Sequence, residues 1–205
     1  MTDPDEVARE LAAKSLAAGD PTGWFEPLYG TGEVPWDRSA PHSLLVRWGE
    51  KQAPAGHGLR ALVVGCGFGR DAEYVAGFGY DTVAFDIAPS AVKAAQERYP
   101  GSPVRYVVAD LLRPPADWRH AYDLVVESMT VQSLPPDLHP AAIASVREFV
   151  APGGRLLVVA AAESGTPPAP PWPLTPAEID SFAAGGLAPV RVEKLDDRWS
   201  AEFFR

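Results

Sequence analysis

The stretch Leu59-Arg60-Ala61-Leu62-Val63-Val64-Gly65-Cys66-Gly67-Phe68-Gly69-Arg70-Asp71 predicts a buried strand, a glycine-rich turn and the start of a helix. The apolar run 61–64 is typical of a parallel strand that is covered on both faces. The glycines of the turn alternate with other residues, and a residue without a Cβ lets a ligand lie directly against the backbone. Helical spacing then continues over 71–78. The stretch therefore predicts an α/β fold with a ligand site at the turn.

An acidic residue follows this turn at an informative distance. Asp86 comes about 20 residues after Gly65, at the end of the apolar run 82–85, where nucleotide-binding α/β folds place an acid that accepts hydrogen bonds from ribose hydroxyls. The turn is G-x-G-x-G, however, and Arg70 stands where the dinucleotide fingerprint G-x-G-x-x-G has its last glycine. This spacing argues against a cofactor that contains a pyrophosphate.

The rest of the chain alternates predicted strands and helices. We expect strands at 59–64, 81–85, 104–109, 122–127 and 155–162, with helices at 71–78, 89–99 and 137–150. Such alternation predicts a parallel sheet with helices on both faces. Two short strands, 190–194 and 199–204, close the chain as a hairpin, whereas a nicotinamide-binding domain would continue its strand–helix alternation.

Two segments outside this alternation are unusual. Residues 3–18 have the spacing of an amphipathic helix, and the irregular stretch 23–48, with a short helix at 43–48, carries Trp24, Trp36 and other aromatic residues. These aromatic side chains either cover the sheet edge or face a ligand, where a ring face favours a cation. Residues 165–176 are rich in proline and predict an ordered loop. The capping-box sequence that begins at Thr175 predicts a helix to about residue 184.

Composition limits the classes of protein to which the chain can belong. Its 205 residues suit one domain, with residues 1–58 as an N-terminal lid and 59–205 as the core. A net charge of −9 without a basic stripe argues against a nucleic-acid partner, and the sequence has no apolar run of the roughly 18 residues that span a membrane. The acidic N-terminus favours a cytoplasmic protein. Cys66 is the single cysteine, and the scattered histidines predict no metal site.

Together these motifs resemble the class I S-adenosylmethionine (SAM)-dependent methyltransferases. The chain is most similar to the thiopurine methyltransferase-like branch, which includes halide and thiol methyltransferases. The resemblance rests on the turn 63–72, Asp86-Ile87, Asp110-Leu111, Tyr122-Asp123-Leu124-Val125, Pro152-Gly153-Gly154 and Val34-Pro35-Trp36-Asp37. The sequence departs from the branch at Ser39, where a glycine is usual, and at Ala88-Pro89, where Ser-Pro is common.

The resemblance implies a Rossmann-like sheet of seven mostly parallel strands, an antiparallel C-terminal hairpin and an N-terminal helical lid. It also implies SAM as cofactor and a small-molecule methyl acceptor (a thiol, a halide or a secondary metabolite), in a monomer or weak homodimer. By analogy, the implied cofactor-binding residues are Trp24, Trp36, Gly65, Cys66, Gly67, Asp86, Ile87, Asp110, Leu111 and Glu127. Asp86 would bind the ribose, Ile87 and Leu111 the adenine ring, Asp110 the adenine amine, and Glu127 the amino group near the sulfonium.

The sequence assigns no catalytic residue. If the acceptor must lose a proton, His42 and His139 are the candidate general bases, whereas a thiolate or halide needs none. Two other functions stay open: a nicotinamide-type oxidoreductase, which the turn spacing and the terminal hairpin oppose, and a non-catalytic SAM-binding module.

Overall fold

A computed structural model describes residues 3–162 and 170–205. Within these residues, seven strands form one sheet in the order β3-β2-β1-β4-β5-β7-β6. The strands are β1 (Arg60–Val64), β2 (Asp81–Asp86), β3 (Arg105–Val108), β4 (Tyr122–Ser128), β5 (Val150–Ala161), β6 (Ala188–Leu195) and β7 (Arg198–Phe204). The helices are α1 (Pro4–Ala17), α2 (Phe25–Gly30), α3 (Ser43–Gln52), α4 (Arg70–Ala76), α5 (Pro89–Arg98), α6 (His139–Phe149) and α7 (Pro176–Ser181).

The sheet confirms the predicted fold class. Strands β3, β2, β1, β4 and β5 run parallel, and β7 and β6 complete the sheet as an antiparallel hairpin. The strands β1 and β4 are buried along almost their whole length, as expected of parallel strands with packed layers on both faces. None of the helices in the described ranges is long and apolar enough to span a membrane.

The start of β5 differs from the prediction. The segment Pro152-Gly153-Gly154, expected to be a turn before the strand, lies inside an extended segment that begins at Val150. Gly153 has a φ of +79°, and the register of β5 against β4 shifts between Tyr122 and Leu124. Backbone hydrogen bonds to Arg205 at the C-terminus continue the ladder through this irregularity, so the segment is a distorted strand.

The N-terminal segment is more regular than the sequence predicts. The short helix α2 lies within the stretch expected to be irregular, and α3 runs four residues beyond the predicted end. Pro27 stands in the first turn of α2, where the missing N–H group breaks no helical hydrogen bond. Leu28 and Tyr29 of α2 are buried. Burial of these side chains against the core thus outweighs the local glycine and proline signals.

One contact fixes α2 on the core and supplies a cap that the sequence lacks. Ala88, at the N-cap position of α5, offers no side-chain oxygen. Instead, the Glu26 carboxylate accepts hydrogen bonds from the Ser90 backbone nitrogen at 2.9 Å and from Ser90 Oγ at 2.6 Å. An acidic side chain at a helix N-terminus is favourable, so α2 both caps α5 and is positioned by it.

Part of the proline-rich segment lies outside the described residues, namely 163–169, so the prediction of an ordered loop there is not tested. Beyond it, Trp172 is buried and Leu174 pairs with Ala162. The predicted capping box of Thr175 and Glu178 is confirmed, although α7 ends at Ser181 rather than near residue 184. The division into a lid (1–58) and a core (59–205) within one domain stays a prediction.

Candidate cofactor site

A cavity of about 280 Å³ opens at the carboxyl ends of β1, β2 and β4. The chain passes from β1 to β2 on one side and later returns to place β4 on the other side of β1. Ligands of open α/β sheets bind at such a reversal of strand order. The cavity is lined by the turn after β1, the ends of β2 and β3 and the segment after β4. Residues of α1 and of the aromatic stretch 23–48 also line it.

The glycines of the turn are required by the backbone and by close packing. Gly65, Gly67 and Gly69 have φ values of +61°, +48° and +88°, which side chains with a Cβ rarely adopt. A Cβ on Gly65 would lie 2.2 Å from Thr130 Oγ1, and one on Gly69 would lie 2.4 Å from Tyr106 Oη. Much of the space beside the turn is therefore filled by the protein itself, while the turn backbone still lines the cavity.

Asp86 joins the end of β2 to this turn. Its Oδ2 accepts a hydrogen bond from the Gly67 backbone nitrogen at 2.9 Å, and its Oδ1 accepts one from the Ala88 nitrogen at 3.1 Å. The side chain is buried, and burial raises the pKa of this carboxyl to about 6, although the backbone N–H donors oppose the shift. Each carboxylate oxygen keeps a second lone pair, so Asp86 can also accept from a ligand in the cavity that it lines.

Cys66 has a structural environment. Its backbone nitrogen donates to the Phe85 carbonyl at 2.8 Å, which ties the turn to β2. The side chain is buried, and burial raises the pKa of the thiol well above its ordinary value. Because the thiolate is the nucleophilic form, Cys66 is a poor nucleophile, and its contribution to the site is through the backbone.

Three predicted residues meet on the β2–β3 side of the cavity. Ile87, Asp110 and Leu111 all line it. Asp110 Oδ1 accepts from the Leu112 nitrogen at 2.8 Å, and its Oδ2 lies 3.1 Å from Arg113 Nε. Two apolar residues and an anchored carboxylate thus line the same part of the cavity.

Glu127 differs from the other predicted site residues because it does not line the cavity. It is fully buried, and its Oε1 accepts from the backbone nitrogens of Thr130 at 2.7 Å and Val131 at 3.0 Å. Oε2 has no partner among the described residues, and burial raises the pKa of the carboxyl to about 7. The side chain turns back to hold the segment after β4, so the cavity wall there is Ser128, Met129 and Thr130 instead.

An aromatic cluster forms the opposite wall of the cavity. Trp24 is buried, stacks on Phe25 with 4.1 Å between centroids, and meets Trp36 edge-on at 5.9 Å. Trp36 is 39% exposed, and its Nε1 donates to Tyr29 Oη at 2.9 Å. Tyr29, which the sequence did not single out as a site residue, also packs edge-on against Phe68 of the turn at 5.3 Å.

The two candidate bases have different environments. His42 lines the cavity and caps α3, with Nδ1 accepting from the Leu44 nitrogen at 3.2 Å. Burial lowers the pKa of His42, so the ring is neutral near pH 7 with its proton assigned to Nε2, and it offers a donor there. His139 is buried outside the cavity lining, with its nitrogens 2.6 Å from Glu178 Oε1 and 2.8 Å from the Leu134 carbonyl oxygen. His139 therefore links structural elements and does not reach the cavity.

Other walls come from the segment after β4 and from the proline-rich loop. Met129, Gln132 and Leu134 are among the lining residues of the segment after β4. From the proline-rich loop, Pro170 and Pro171 line the cavity, whereas Trp172 donates its backbone N–H to the Gln132 carbonyl. Residues of α1 also line the cavity, namely Asp5, Ala8 and Arg9, which supports the interpretation of α1 as part of a lid.

Comparisons with known proteins agree with this architecture. Residues 61–154 match the family model described as a methyltransferase domain. Over 159 residues the chain is 31% identical to thiocyanate methyltransferase 1 of Brassica oleracea, covering 76% of this chain and 67% of the relative. It is 24% identical to probable thiol methyltransferase 2 of Arabidopsis thaliana, covering 93% of this chain and 82% of the relative.

A solved structure extends the comparison to the whole fold. The Burkholderia thailandensis 1,6-didemethyltoxoflavin-N1-methyltransferase, solved with 1,6-didemethyltoxoflavin and S-adenosylhomocysteine bound, superposes with a TM-score of 0.67. The match covers 100% of this chain and 91% of that chain at 17% sequence identity. At this identity the similarity concerns the fold.

Proposed function

The chain belongs to the class I SAM-dependent methyltransferases of the thiol methyltransferase type, and we propose that the cavity beside its glycine-rich turn holds SAM next to a thiol or thiocyanate acceptor. The chain is therefore a SAM-dependent methyltransferase for small molecules, and the nicotinamide-type alternative is removed. What we propose here is the location of the cofactor. The observation that carries it is the buried Asp86 carboxylate, which is bonded to Gly67 and lines the cavity at the reversal of strand order.

The residues around the turn fit SAM better than they fit a dinucleotide. The turn lacks the last glycine of the dinucleotide fingerprint, and Arg70, the cation at the start of α4, is already paired with Asp37 at 3.2 Å and is not free for a pyrophosphate. Ribose hydroxyls need an acceptor, which Asp86 supplies. A sulfonium carries positive charge, and the aromatic wall of Trp24 and Trp36 offers ring faces that favour a cation.

Each predicted residue that lines the cavity then has a role that its position allows. Asp86 accepts from the ribose hydroxyls, Ile87 and Leu111 pack against the adenine, and Asp110 accepts from its exocyclic amine. The backbone of Gly65 and its neighbours in the turn, Cys66 and Gly67, lies against the amino-acid part of the cofactor. Trp24 and Trp36 border the cofactor from the lid.

Glu127 receives no such role. Its carboxylate binds the backbone nitrogens of Thr130 and Val131 and lies away from the cavity.

Methyl transfer from SAM needs little chemical assistance from the protein. SAM supplies a methyl group on a sulfonium, which is already activated for in-line displacement. The chain has to orient the two reactants and exclude water, and orientation alone is worth several kcal/mol. The aromatic wall, in which Trp24 is buried, and apolar residues after β4 such as Met129 and Leu134 perform the second task.

The acceptor is proposed from the named relatives and from the state of His42. Thiocyanate is an anion and a thiol reacts as its thiolate, so at the transfer step neither acceptor needs a base. This agrees with a cavity in which His42 is neutral and its Nδ1 is occupied by a backbone donor.

A transfer assay tests the proposal. Purified protein with methyl-labelled SAM should label thiocyanate or a simple thiol, with iodide and a phenol as comparison acceptors. Transfer to none of these acceptors while S-adenosylhomocysteine binds tightly would contradict the proposed acceptor class and leave the proposed cofactor site standing. A clear preference for the phenol would contradict the proposed acceptor class. Light scattering tests the further proposal of a monomer or weak homodimer.

A further inference from the structure

Asp37 follows Trp36 directly and pairs with two arginines, Arg70 and Arg98. Its Oδ1 lies 3.2 Å from Arg70 Nε and 3.1 Å from Arg98 Nη1, and its Oδ2 accepts from Arg98 Nη2 at 3.1 Å. Arg70 is the first residue of α4 and Arg98 is the last residue of α5. One carboxylate of the N-terminal segment is therefore held by two helices of the core.

The network also reaches the glycine-rich turn. The Arg98 guanidinium lies over the Phe68 ring, 4.6 Å from its centroid, and Phe68 is the residue between Gly67 and Gly69. Arg70 Nη1 donates to the Ser39 carbonyl at 3.5 Å, two residues after Asp37. The contacts thus join residues 37–39 to Phe68 of the turn and to Arg70 at the start of α4.

The geometry makes this pairing stronger than an ordinary surface ion pair. Arg98 binds Asp37 through two parallel N–H···O bonds, the arrangement in which an arginine loses least freedom per bond. The side chains of Asp37, Arg70 and Arg98 are 28%, 26% and 31% exposed, so solvent screens them only in part.

Trp36 lies at the edge of the aromatic cluster and is partly exposed. The indole is 39% exposed, its N–H is bonded to Tyr29, and its ring contacts are edge-on to Trp24 and Tyr29. A tryptophan with 39% of its surface exposed gains less from burial than a core residue such as Trp24, which is 2% exposed. The neighbouring backbone, fixed through Asp37, has to set its position.

We propose that Asp37 is a positioning residue that clamps Arg70 and Arg98 and thereby holds Trp36 at the rim of the cofactor cavity. The inference rests on the proposed location of SAM in this cavity. The clamp keeps the N-terminal segment ordered in the free protein. Loss of the clamp should therefore lower the affinity for the cofactor and leave the rate of methyl transfer unchanged.

The variant Asp37→Asn tests the clamp. It keeps the size of the side chain but leaves two arginines facing each other without a carboxylate. Affinity for S-adenosylhomocysteine, measured by calorimetry, should fall about three- to tenfold, the range expected for losing one or two partly exposed pairs. The KM for SAM should rise equally, while kcat at saturating SAM stays within about twofold of the unaltered protein.

Glu97→Gln is a matched control. Glu97 precedes Arg98 on α5 and pairs with Lys93 at 3.8 Å, with both side chains more than two-thirds exposed. This variant also removes one carboxylate from an ion pair and should bind S-adenosylhomocysteine like the unaltered protein. Asp37→Glu should regain most of the lost affinity, since the longer acid can still reach both arginines.

A second readout follows Trp36 itself in the free protein. Quenching of tryptophan fluorescence by acrylamide should be greater in Asp37→Asn than in the unaltered protein. This increase should vanish when Trp36 is also replaced, as in Asp37→Asn/Trp36→Phe. Unchanged affinity in Asp37→Asn would overturn the clamp, and so would unchanged quenching. An equal loss of affinity for S-adenosylhomocysteine in Glu97→Gln would also overturn the clamp. If Asp37→Asn does not fold, Arg98→Lys removes the bidentate pair and is subject to the same criteria.

Failure of the clamp can be told from failure of the cofactor site. Asp86→Asn probes the site without touching the clamp. If Asp86→Asn loses binding and Asp37→Asn does not, the clamp alone is wrong. If Asp86→Asn binds as the unaltered protein does, the location of the cofactor is wrong, and with it the basis of the clamp.

Discussion

The Asp86 carboxylate accepts a hydrogen bond from the Gly67 backbone nitrogen at 2.9 Å, so the acid that ends β2 is joined directly to the turn that follows β1. The same carboxylate caps the Ala88 nitrogen at the start of α5. One buried acid therefore sets the shape of the turn and presents acceptor capacity to the cavity. Its replacement tests both functions.

Asp86→Asn should lose about 10- to 100-fold in affinity for S-adenosylhomocysteine, because a hydrogen bond to a charged acceptor is worth about 1.5–3 kcal/mol. Calorimetric titration measures this. The control is Asp81→Asn, which removes an exposed acid at the other end of β2 and should leave affinity unchanged. Equal affinity of the two variants would argue against the role of Asp86 in binding ribose.

The pH dependence of binding should report the same carboxyl. Burial raises the pKa of Asp86 to about 6, and the ionised form is the better acceptor for ribose hydroxyls. Affinity should be constant above this pKa and fall as pH drops below it, approaching about tenfold per pH unit. Titrations between pH 5 and pH 8 check this, and the dependence should disappear in Asp86→Asn.

Stability should depend on pH through Glu127. Burial raises the pKa of this carboxyl to about 7 from its usual 4.5, so the folded state favours the protonated form. The resulting stabilisation is present below the unfolded pKa and is lost as pH rises through about 7, for a change of about 3 kcal/mol. The raised pKa of Asp86 makes stability depend on pH in the same direction.

Glu127→Gln should therefore reduce the difference in unfolding free energy between pH 5 and pH 8, as measured by urea denaturation at each pH. Glu50→Gln, which changes an exposed acid on α3, should leave that difference unaltered. A pH difference that is identical in all three proteins would show that Glu127 is ionised to the same extent in the folded and unfolded states.

Gly65→Ala should be among the most damaging changes in the turn. The new Cβ would lie 2.2 Å from Thr130 Oγ1 at a φ of +61°, which combines backbone strain with a steric clash. We expect a loss of about 3 kcal/mol in unfolding free energy. Gly101→Ala, at φ +84° with no atom within 4 Å of the new Cβ, carries the strain alone and should cost about 1 kcal/mol. Equal losses would show that contact with Thr130 is unimportant.

His42→Asn should retain kcat within about threefold with a thiocyanate or thiol acceptor. Asparagine preserves a side-chain acceptor at the N-cap of α3, so the helix is kept while the imidazole is removed. A loss in kcat of about 100-fold or more, in the range of general base catalysis, would show that His42 acts as a base after all. Steady-state kinetics with each acceptor gives the answer.

The core of the fold was predictable because its signals are local. The apolar run before Gly65, the spacing to Asp86 and the alternation of strands with helices are properties of neighbouring residues. The structure places β1 and β2 within one residue of the predicted bounds. The start of β5 was not predictable, since residues 150–154 stay extended through pairing with Arg205, which is distant in sequence.

The contacts that shape the site depend on distant residues in the same way. Glu26 caps Ser90 and Asp37 binds Arg98 across more than 60 residues of sequence, and no local pattern indicates either pair. Glu127 has the sequence position of a site acid, but the tight segment that follows it supplies two N–H donors and turns the carboxylate away from the cavity. Position at a strand end therefore identified Asp86 and Asp110 as lining residues but not the orientation of Glu127.

The most direct test is a crystal structure of the protein with S-adenosylhomocysteine. We expect the ribose hydroxyls within hydrogen-bonding distance of Asp86, the adenine between Ile87 and Leu111, and Trp36 at the rim of the cofactor cavity. A nucleoside bound away from the 65–71 turn, or an Asp86 carboxylate bonded to Gly67 and Ala88 without touching the ligand, would contradict the proposed cofactor site.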